Sequence, residues 1–314
     1  MKAVILEEFG GIEHLVAKDI DTPKPGPRQV LIKNQYLSIN PVDAKTRAGK
    51  GIAGLIKDQL PAILGWDISG EIVETGESVT DFNNGDEVFA MLAFPKLGKA
   101  YAEYVVAEAS ELAIKPKNIS HEDAAAATLA ALTAWQALTV QTTVRPGDRV
   151  LIHSAAGGVG HYAVQMAKYL GAYVIGTSSA ANKDFVLSLG ADEHVDYKAQ
   201  PFETVVKDID LVLDSMGGEN VDRSLLVIKR GGTLISFPSA MSEVVKGKGE
   251  EAGINAFHFK VSANGEHMKS IADLLEKGIL RSHVSKVFSF DEIGAAHLQI
   301  ESGRTVGKIV VRIS

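Results

Sequence analysis

The chain has 314 residues, 46% of them hydrophobic and 23% charged, a balance that supports a full buried core and, at about 100–200 residues per domain, two domains. Its 32 basic and 39 acidic side chains leave a net charge of −7, which argues against nucleic acid or an anionic membrane as a general partner, since both select basic patches. It contains no cysteine, so a disulfide scaffold, a thiol nucleophile and a thiolate zinc site are excluded.

The opening Met1-Lys2-Ala3-Val4-Ile5-Leu6-Glu7-Glu8 turns acidic too soon for a secretory signal. The one long uncharged stretch, Ala124 to Val144, carries Thr128, Thr133, Gln136, Thr139 and Gln141 and is too polar for a spanning helix. A cytoplasmic protein buried against its own chain at that stretch is the expectation. The first third reads as β-rich, with strands expected at 30–36, 70–74, 86–90 and 102–106 between Pro-Gly and Asn-Asn-Gly turns. Ser120 followed by Asp123 marks a helix start, and an alanine-rich helical run follows.

From Asp148 onward the rhythm becomes strand, turn, helix. Strands are expected at 149–153, 172–176, 193–196, 210–214 and 232–236, mostly separated by helical segments. Such alternation implies a parallel sheet covered by helices on both faces. A helix near 291–302 and a strand at 308–312 form a separate tail.

The first of these strands runs into Ser154-Ala155-Ala156-Gly157-Gly158-Val159-Gly160. Glycines there permit a tight strand-to-helix turn and let a pyrophosphate approach the helix N-terminus, so Ala156, Gly157, Gly158 and Val159 are expected to cradle a dinucleotide. A merely tight turn is the alternative, but the strand before and the helix and second strand after supply the context that this motif requires. At the end of the second strand an NAD site usually places a carboxylate for the ribose hydroxyl. This chain has Ser178, Ser179 and, a turn later, Lys183, which suit a 2′-phosphate and favour NADPH. Lys183 could equally be a solvated residue at a helix start.

These segments, with Asn40-Pro41-Val42-Asp43-Ala44-Lys45, Leu64 to Gly70, Gly85-Asp86-Glu87-Val88, Thr133-Ala134-Trp135 and Ser302 to Lys308, resemble the medium-chain dehydrogenase/reductase superfamily. The resemblance covers essentially the whole chain and is to the zinc-independent quinone oxidoreductases and enone (2-alkenal) reductases. It implies an α/β fold, a Rossmann-type parallel-sheet domain over 120–262 plus a β-rich GroES-like catalytic domain over 1–119, completed by 263–314. Zinc-dependent relatives carry Gly-His-Glu where this chain has Gly65-Trp66-Asp67, and their cysteine ligands have no counterpart.

The resemblance further implies that Asn40, Asp43 and Lys45 stand near the nicotinamide, although Asn-Pro and Asp also favour such bends on their own. Thr133 would meet the nicotinamide side, Tyr197 the adenosine phosphate, and Phe237, Phe257, Phe259 and Arg304 the cofactor groove, with packing roles as the alternative. Asp86 reads as structural. Many quinone reductases place a tyrosine shortly after the Asn-Pro-Val-Asp segment, where this chain has Arg47-Ala48-Gly49-Lys50-Gly51, so the aromatic wall for a flat quinone is not evident. The expected activity is NADPH-dependent reduction of enones, alkenals or quinones by a homodimer paired through the edge segment 256–261. A metal-dependent alcohol or aldehyde dehydrogenase and a non-catalytic NADPH-binding protein are the alternatives.

Overall fold

A long strand, Gln29–Ile39, organises the first part of the molecule in the computed structural model, which describes residues 1–238 and 242–313. The chain divides into two compact units, one of Met1–Leu132 with Val261–Ser314, the other of Thr133–Lys260. The structure is mixed α/β, with an antiparallel-rich first unit and a parallel-sheet second unit.

In the first unit the long strand pairs antiparallel with Asp67–Thr75, Tyr104–Glu108 and Lys308–Arg312. Glu87–Met91, Ala113–Ile114 and Val284–Ser289 extend this seven-stranded sheet. A smaller sheet joins Leu15–Asp19, Lys2–Leu6 and Ala62–Ile63. Apolar side chains of the long strand serve two cores. Val30 and Ile32 pack with Ile68, Ile72, Val88 and Val105, and Leu37 and Ile39 with Leu64, Ile309, Val311 and Phe288. The register matters most for function. Ile309 lies opposite Ile39 and Ser38 opposite Asp67, which brings the residues next to them, Lys308 and Asn40, to the same end of the sheet.

The strand expected at 102–106 begins two residues later, because Ala102 leaves the ladder to bridge Ala3 and pairing with the long strand starts at Tyr104 opposite Lys33. The alanine-rich helix starts where expected, with the Ser120 hydroxyl accepting from the Asp123 amide at 3.0 Å. It belongs to the first unit, whose first segment runs to Leu132. Its small Ala124, Ala125 and Ala126 side chains let it lie close on the sheet, fully buried. The uncharged stretch after Ala124 splits between this helix and Leu129–Thr139. No helix among the described residues is long and apolar enough to cross a membrane.

In the second unit six strands are all parallel, in the spatial order Glu193–Asp196, Tyr173–Ser178, Arg149–Ile152, Ile209–Asp214, Ile228–Ser236, Asn255–His258. Numbered along the chain this is 3-2-1-4-5-6, the doubly wound dinucleotide-binding order, which binds ligands at the carboxyl ends of its strands. Leu151, Ile175, Val212 and Leu234 fill its core. The fifth strand starts at Ile228, earlier than the expected Gly232, because Ile228 already pairs with Ile209; the register then shifts, and Thr233 lies opposite Leu211. Asn255–His258, which overlaps the start of the segment 256–261 expected as an edge, is the terminal strand of the sheet.

Candidate active site

The glycine turn of the second unit is held by its neighbours on both sides. The Ala155 amide donates to the Thr177 carbonyl at 2.9 Å, the His153 amide to the Leu213 carbonyl at 3.0 Å, and the Gly157 amide to the Ser154 carbonyl at 2.8 Å. Ser154 sits in the left-handed backbone region at φ 53°, a strained position for a serine. A Cβ on Gly160 would collide with the Ser154 carbonyl oxygen and approach Ala155 Cα to 2.8 Å, so only glycine lets the helix pack this tightly on its strand. The helix Gly158–Tyr169 starts there with no side-chain cap at Gly157. Its first amides are therefore available to an anion, as a pyrophosphate cradle requires.

Beside this turn the Tyr173–Ser178 strand ends in hydroxyls and not in a carboxylate. Ser178 is buried, and its Oγ lies 2.8 Å from His194 Nε2 and 3.2 Å from the Ser179 carbonyl. Lys183 is exposed at the start of the helix Lys183–Ser188. Tyr197 is 54% exposed, its amide donates to the Ser178 carbonyl at 3.3 Å, and the Lys198 ammonium lies over its ring. Hydroxyls and cations, with no carboxylate on the end of that strand itself (Asp196, opposite Ser178, belongs to the neighbouring strand), are the donor set that a dinucleotide with a 2′-phosphate needs, so the residues present fit NADPH.

Farther along the sheet, buried Asp214 receives hydrogen bonds from the Met216 and Gly217 amides, the Asn220 amide group and the Ser236 hydroxyl, fixing the loop after its strand. Phe237 and Phe259 meet edge to face at 6.4 Å, and Phe257 is half-buried on the edge strand. His153 is buried between Thr177 and Ser224 against the Phe202 ring, and burial pushes it down to about 4, so it stays neutral.

The first unit assembles a second polar cluster. The Lys308 ammonium is buried and donates to the Asn40 side-chain carbonyl, with the Asp67 carboxylate 3.8 Å away. The Asn40 amide donates to that carboxylate at 2.7 Å, and Ser38 Oγ and the Leu129 amide donate to it at 2.9 and 3.0 Å. Asp43 Oδ2 accepts from the Asn40 backbone amide at 2.8 Å, closing a capping box on the helix Pro41–Arg47. Its other oxygen accepts from the Tyr101 hydroxyl at 2.7 Å, and that hydroxyl lies 2.9 Å from His297 Nε2. Burial, with Asp67 nearby, lifts the Asp43 carboxyl to about 7 against the pull of the Tyr101 hydrogen bond. Burial and the Arg47 charge push His297 down to about 3. Burial also lowers Lys308, although Asp67 and Asp43 oppose it.

Of the three residues expected at the reacting end, Lys45 alone is exposed, on the solvent side of the Pro41–Arg47 helix. Asp43 is fully buried with both oxygens engaged, so its geometry is that of a group holding the helix start and not of one touching reactants. Asn40 is likewise enclosed, its carbonyl and amide taken by Lys308 and Asp67. Ala156 to Val159, Ser178, Ser179, Lys183, Tyr197, Phe237, Phe257 and Phe259 all fall on the second unit, with Thr133 buried at its first residue. Arg304 falls on the first, exposed in the turn after the last helix. Asp86 holds its own turn by accepting from the Asn83 amide at 2.8 Å.

Residues 26–117 match the family model for the alcohol dehydrogenase GroES-like domain, and 189–311 that for zinc-binding dehydrogenase. The chain is 34% identical over 321 residues to an NADPH-dependent alkenal/one oxidoreductase, chloroplastic, of Arabidopsis thaliana, covering 99% of this chain and 79% of that protein. The chain belongs to the medium-chain dehydrogenase/reductase superfamily, in its quinone and enone reductase branch. Among solved structures, the quinone oxidoreductase from Coxiella burnetii matches with TM-score 0.95 at 37% identity, over 100% of this chain and 99% of that one. The Escherichia coli quinone oxidoreductase complexed with NADPH matches with TM-score 0.85 at 26% identity, over the full length of both chains. The β-rich unit of this medium-chain reductase is thus its GroES-like part and the parallel-sheet unit its Rossmann part.

Asp67, Lys308, Tyr101 and His297 are not legible in the sequence as one cluster. Asp67 stands out there only as the residue replacing a zinc-ligand motif, and Lys308 only as part of a matching segment. Strand register joins Asp67 and Lys308 across more than two hundred residues, and side-chain hydrogen bonds from a loop and a helix add Tyr101 and His297.

Proposed function

We propose that this medium-chain reductase uses NADPH to reduce activated carbonyl compounds (enones, 2-alkenals or quinones) without zinc. The observation that carries the cofactor choice is the strand end at Ser178, Ser179 and Lys183, where hydroxyls and a cation replace the carboxylate of an NAD site. The relatives named for NADPH-dependent alkenal and quinone chemistry support the substrate class.

When bound, NADPH supplies the hydride. The protein's part is to bind, orient and stabilise charge. The glycine turn and the first amides of the Gly158–Tyr169 helix take the pyrophosphate, and Ser178, Ser179 and Lys183 take the 2′-phosphate. Lys45 is the donor assigned to the carbonyl oxygen as negative charge grows there. Asn40 and Asp43 set the start of the helix that carries Lys45, so they act through position.

The zinc-free reading is supported by a chain without cysteine and by Gly65-Trp66-Asp67, in which Trp66 is buried with its indole NH on the Lys96 carbonyl at 2.7 Å and Asp67 is committed to Lys308 and Asn40. The matched zinc-binding dehydrogenase family is the reason to keep a metal-dependent alcohol or aldehyde dehydrogenase as the second reading. A homodimer paired through the edge strand Asn255–His258 and action in the cytoplasm complete the proposal. The dimer is supported by the unpaired outer side of that strand within its sheet.

The test is oxidation of NADPH and of NADH by dialysed protein of known metal content, with 2-alkenals, vinyl ketones and quinones. Turnover with NADPH and an enone or quinone at substoichiometric zinc is expected. Turnover confined to saturated aldehydes or alcohols with bound zinc supports the second reading, and NADPH binding without turnover on any of these compounds makes the chain a binding protein only.

A further inference from the structure

We propose that His194 is a positioning residue for the cofactor's 2′-phosphate: it donates to the Ser178 hydroxyl, so that the serine hydrogen is left for the phosphate, and it takes up a proton when the phosphate binds. The role rests on the NADPH assignment above.

The geometry comes from strand pairing. Glu193–Asp196 lies parallel to Tyr173–Ser178, with His194 opposite Gly176 and Asp196 opposite Ser178. His194 Nε2 thereby reaches Ser178 Oγ at 2.8 Å, while the same oxygen lies 3.2 Å from the Ser179 carbonyl. A serine hydroxyl has one hydrogen and two acceptor lone pairs. If that hydrogen points at His194, Ser178 has nothing to offer a ligand. If His194 Nε2 carries the hydrogen and donates to Oγ, the serine hydrogen is free to leave its long contact with Ser179 for a better acceptor. A phosphate oxygen is such an acceptor, and Ser178 is only 4% exposed, so little water competes.

The charges around His194 make this arrangement responsive to an anion. Asp196, on its own strand, favours the charged imidazole, whereas Lys183 opposes it. The helix packed over the strand, Lys183–Ser188, brings Lys183 and Asp184, and the following turn brings Tyr197 and Lys198. The other carboxylates of that strand and its lead-in are engaged elsewhere, Glu193 by the Tyr173 hydroxyl and Asp192 by Lys168. Burial leads in holding His194 below its ordinary value in the free protein. A phosphate dianion at the strand end offsets the Lys183 repulsion and favours imidazolium, which donates to Ser178 from Nε2 in every case. NADH has no such group.

The experiment is calorimetric titration of NADPH, NADH and 2′,5′-ADP between pH 6.5 and 8.5, in buffers of different ionisation enthalpy, with wild type, His194→Gln and His194→Ala. Wild type is expected to take up protons with NADPH and 2′,5′-ADP beyond any taken up with NADH. His194→Gln keeps a donor without a titrating charge, so it should retain most NADPH affinity at pH 8.5 and lose the gain toward pH 6.5. His194→Ala should bind NADPH about ten-fold more weakly, the loss of one charge-assisted hydrogen bond, with NADH affinity unchanged in both variants. Any contribution from the phosphate's own ionisation near pH 6 is common to all three proteins. Unchanged NADPH affinity and proton uptake in His194→Ala overturn the proposal while leaving the cofactor assignment standing. Equal wild-type affinity for NADPH and NADH defeats that assignment and the proposal together.

Discussion

The Lys308 ammonium, on the last strand, donates to the side-chain carbonyl of Asn40, 268 residues earlier in the chain. The pair is enclosed with the Asp67 carboxylate, to which Asn40 also donates. The C-terminal strand therefore completes the polar support of the Pro41–Arg47 helix. Removing one member of such a buried ionic group leaves its partner uncompensated. Lys308→Met is expected to lower unfolding free energy by about 3 kcal/mol, measured by chemical denaturation at pH 7. A loss below about 1 kcal/mol, the range of exposed pairs, would contradict the buried-pair reading.

Asp43 gives a pH signature. Its carboxyl has an ordinary value of 3.8 and stands at about 7 in the fold, so between these values the native state binds more protons than the unfolded one. The stability linked to Asp43 is complete below about pH 4 and is lost as pH rises through 7. His297, pushed down to about 3, works the other way, its contribution present above 6.5 and lost on acidification. Asp43→Asn keeps His297 and removes only the first effect. Relative to wild type, the variant should gain stability from pH 5 to pH 7, with a slope of up to about 1.4 kcal/mol per pH unit. Parallel stability curves for the two proteins would refute the raised carboxyl.

Two glycines separate a steric demand from mere flexibility. Gly160→Ala drives a methyl into the Ser154 carbonyl and Ala155 Cα, both backbone, and should lower the melting temperature and abolish NADPH binding. Gly54, in the short helix Ala53–Ile56, has open space where a methyl would point, with nothing within 4 Å, so Gly54→Ala should be neutral or slightly stabilising. Thermal melts with and without NADPH check both. An innocuous Gly160→Ala would show that the turn does not need its close approach.

At the 2′-phosphate end, Lys183→Glu replaces an exposed cation with an anion beside Ser178 and Ser179. The Michaelis constant for NADPH should rise at least about ten-fold, the equivalent of 1.4 kcal/mol, with a smaller change for NADH. Steady-state kinetics with both cofactors decide it, and an equal effect on the two would remove Lys183 from the phosphate site.

Much of the second unit was legible because its signals are local. An apolar run, a glycine turn and a helical repeat placed Arg149–Ile152 and Gly158–Tyr169 almost to the residue. Ser120 likewise announced its helix through its own hydroxyl. The first unit was less legible because its site is non-local: antiparallel register brings Asn40, Asp67 and Lys308 together, while Tyr101, outside the strands, and His297, on the helix Ile293–Glu301, join Asp43 through side-chain contacts. Asp43 was placed near the nicotinamide by resemblance alone, whereas its enclosure between the Asn40 amide and the Tyr101 hydroxyl is a property of the fold that its sequence neighbours do not show. His194 was hidden for the same reason, lying on a different strand from the Ser178 hydroxyl it reaches.

The most direct test of the central claim follows one atom. Metal-stripped protein is given NADPH deuterated at the transferring C4 position and a vinyl ketone, and the product is examined by NMR. Deuterium at the β-carbon of a saturated ketone is the predicted result. Deuterium at the carbonyl carbon of an alcohol, or label transfer only after zinc is restored, would contradict it.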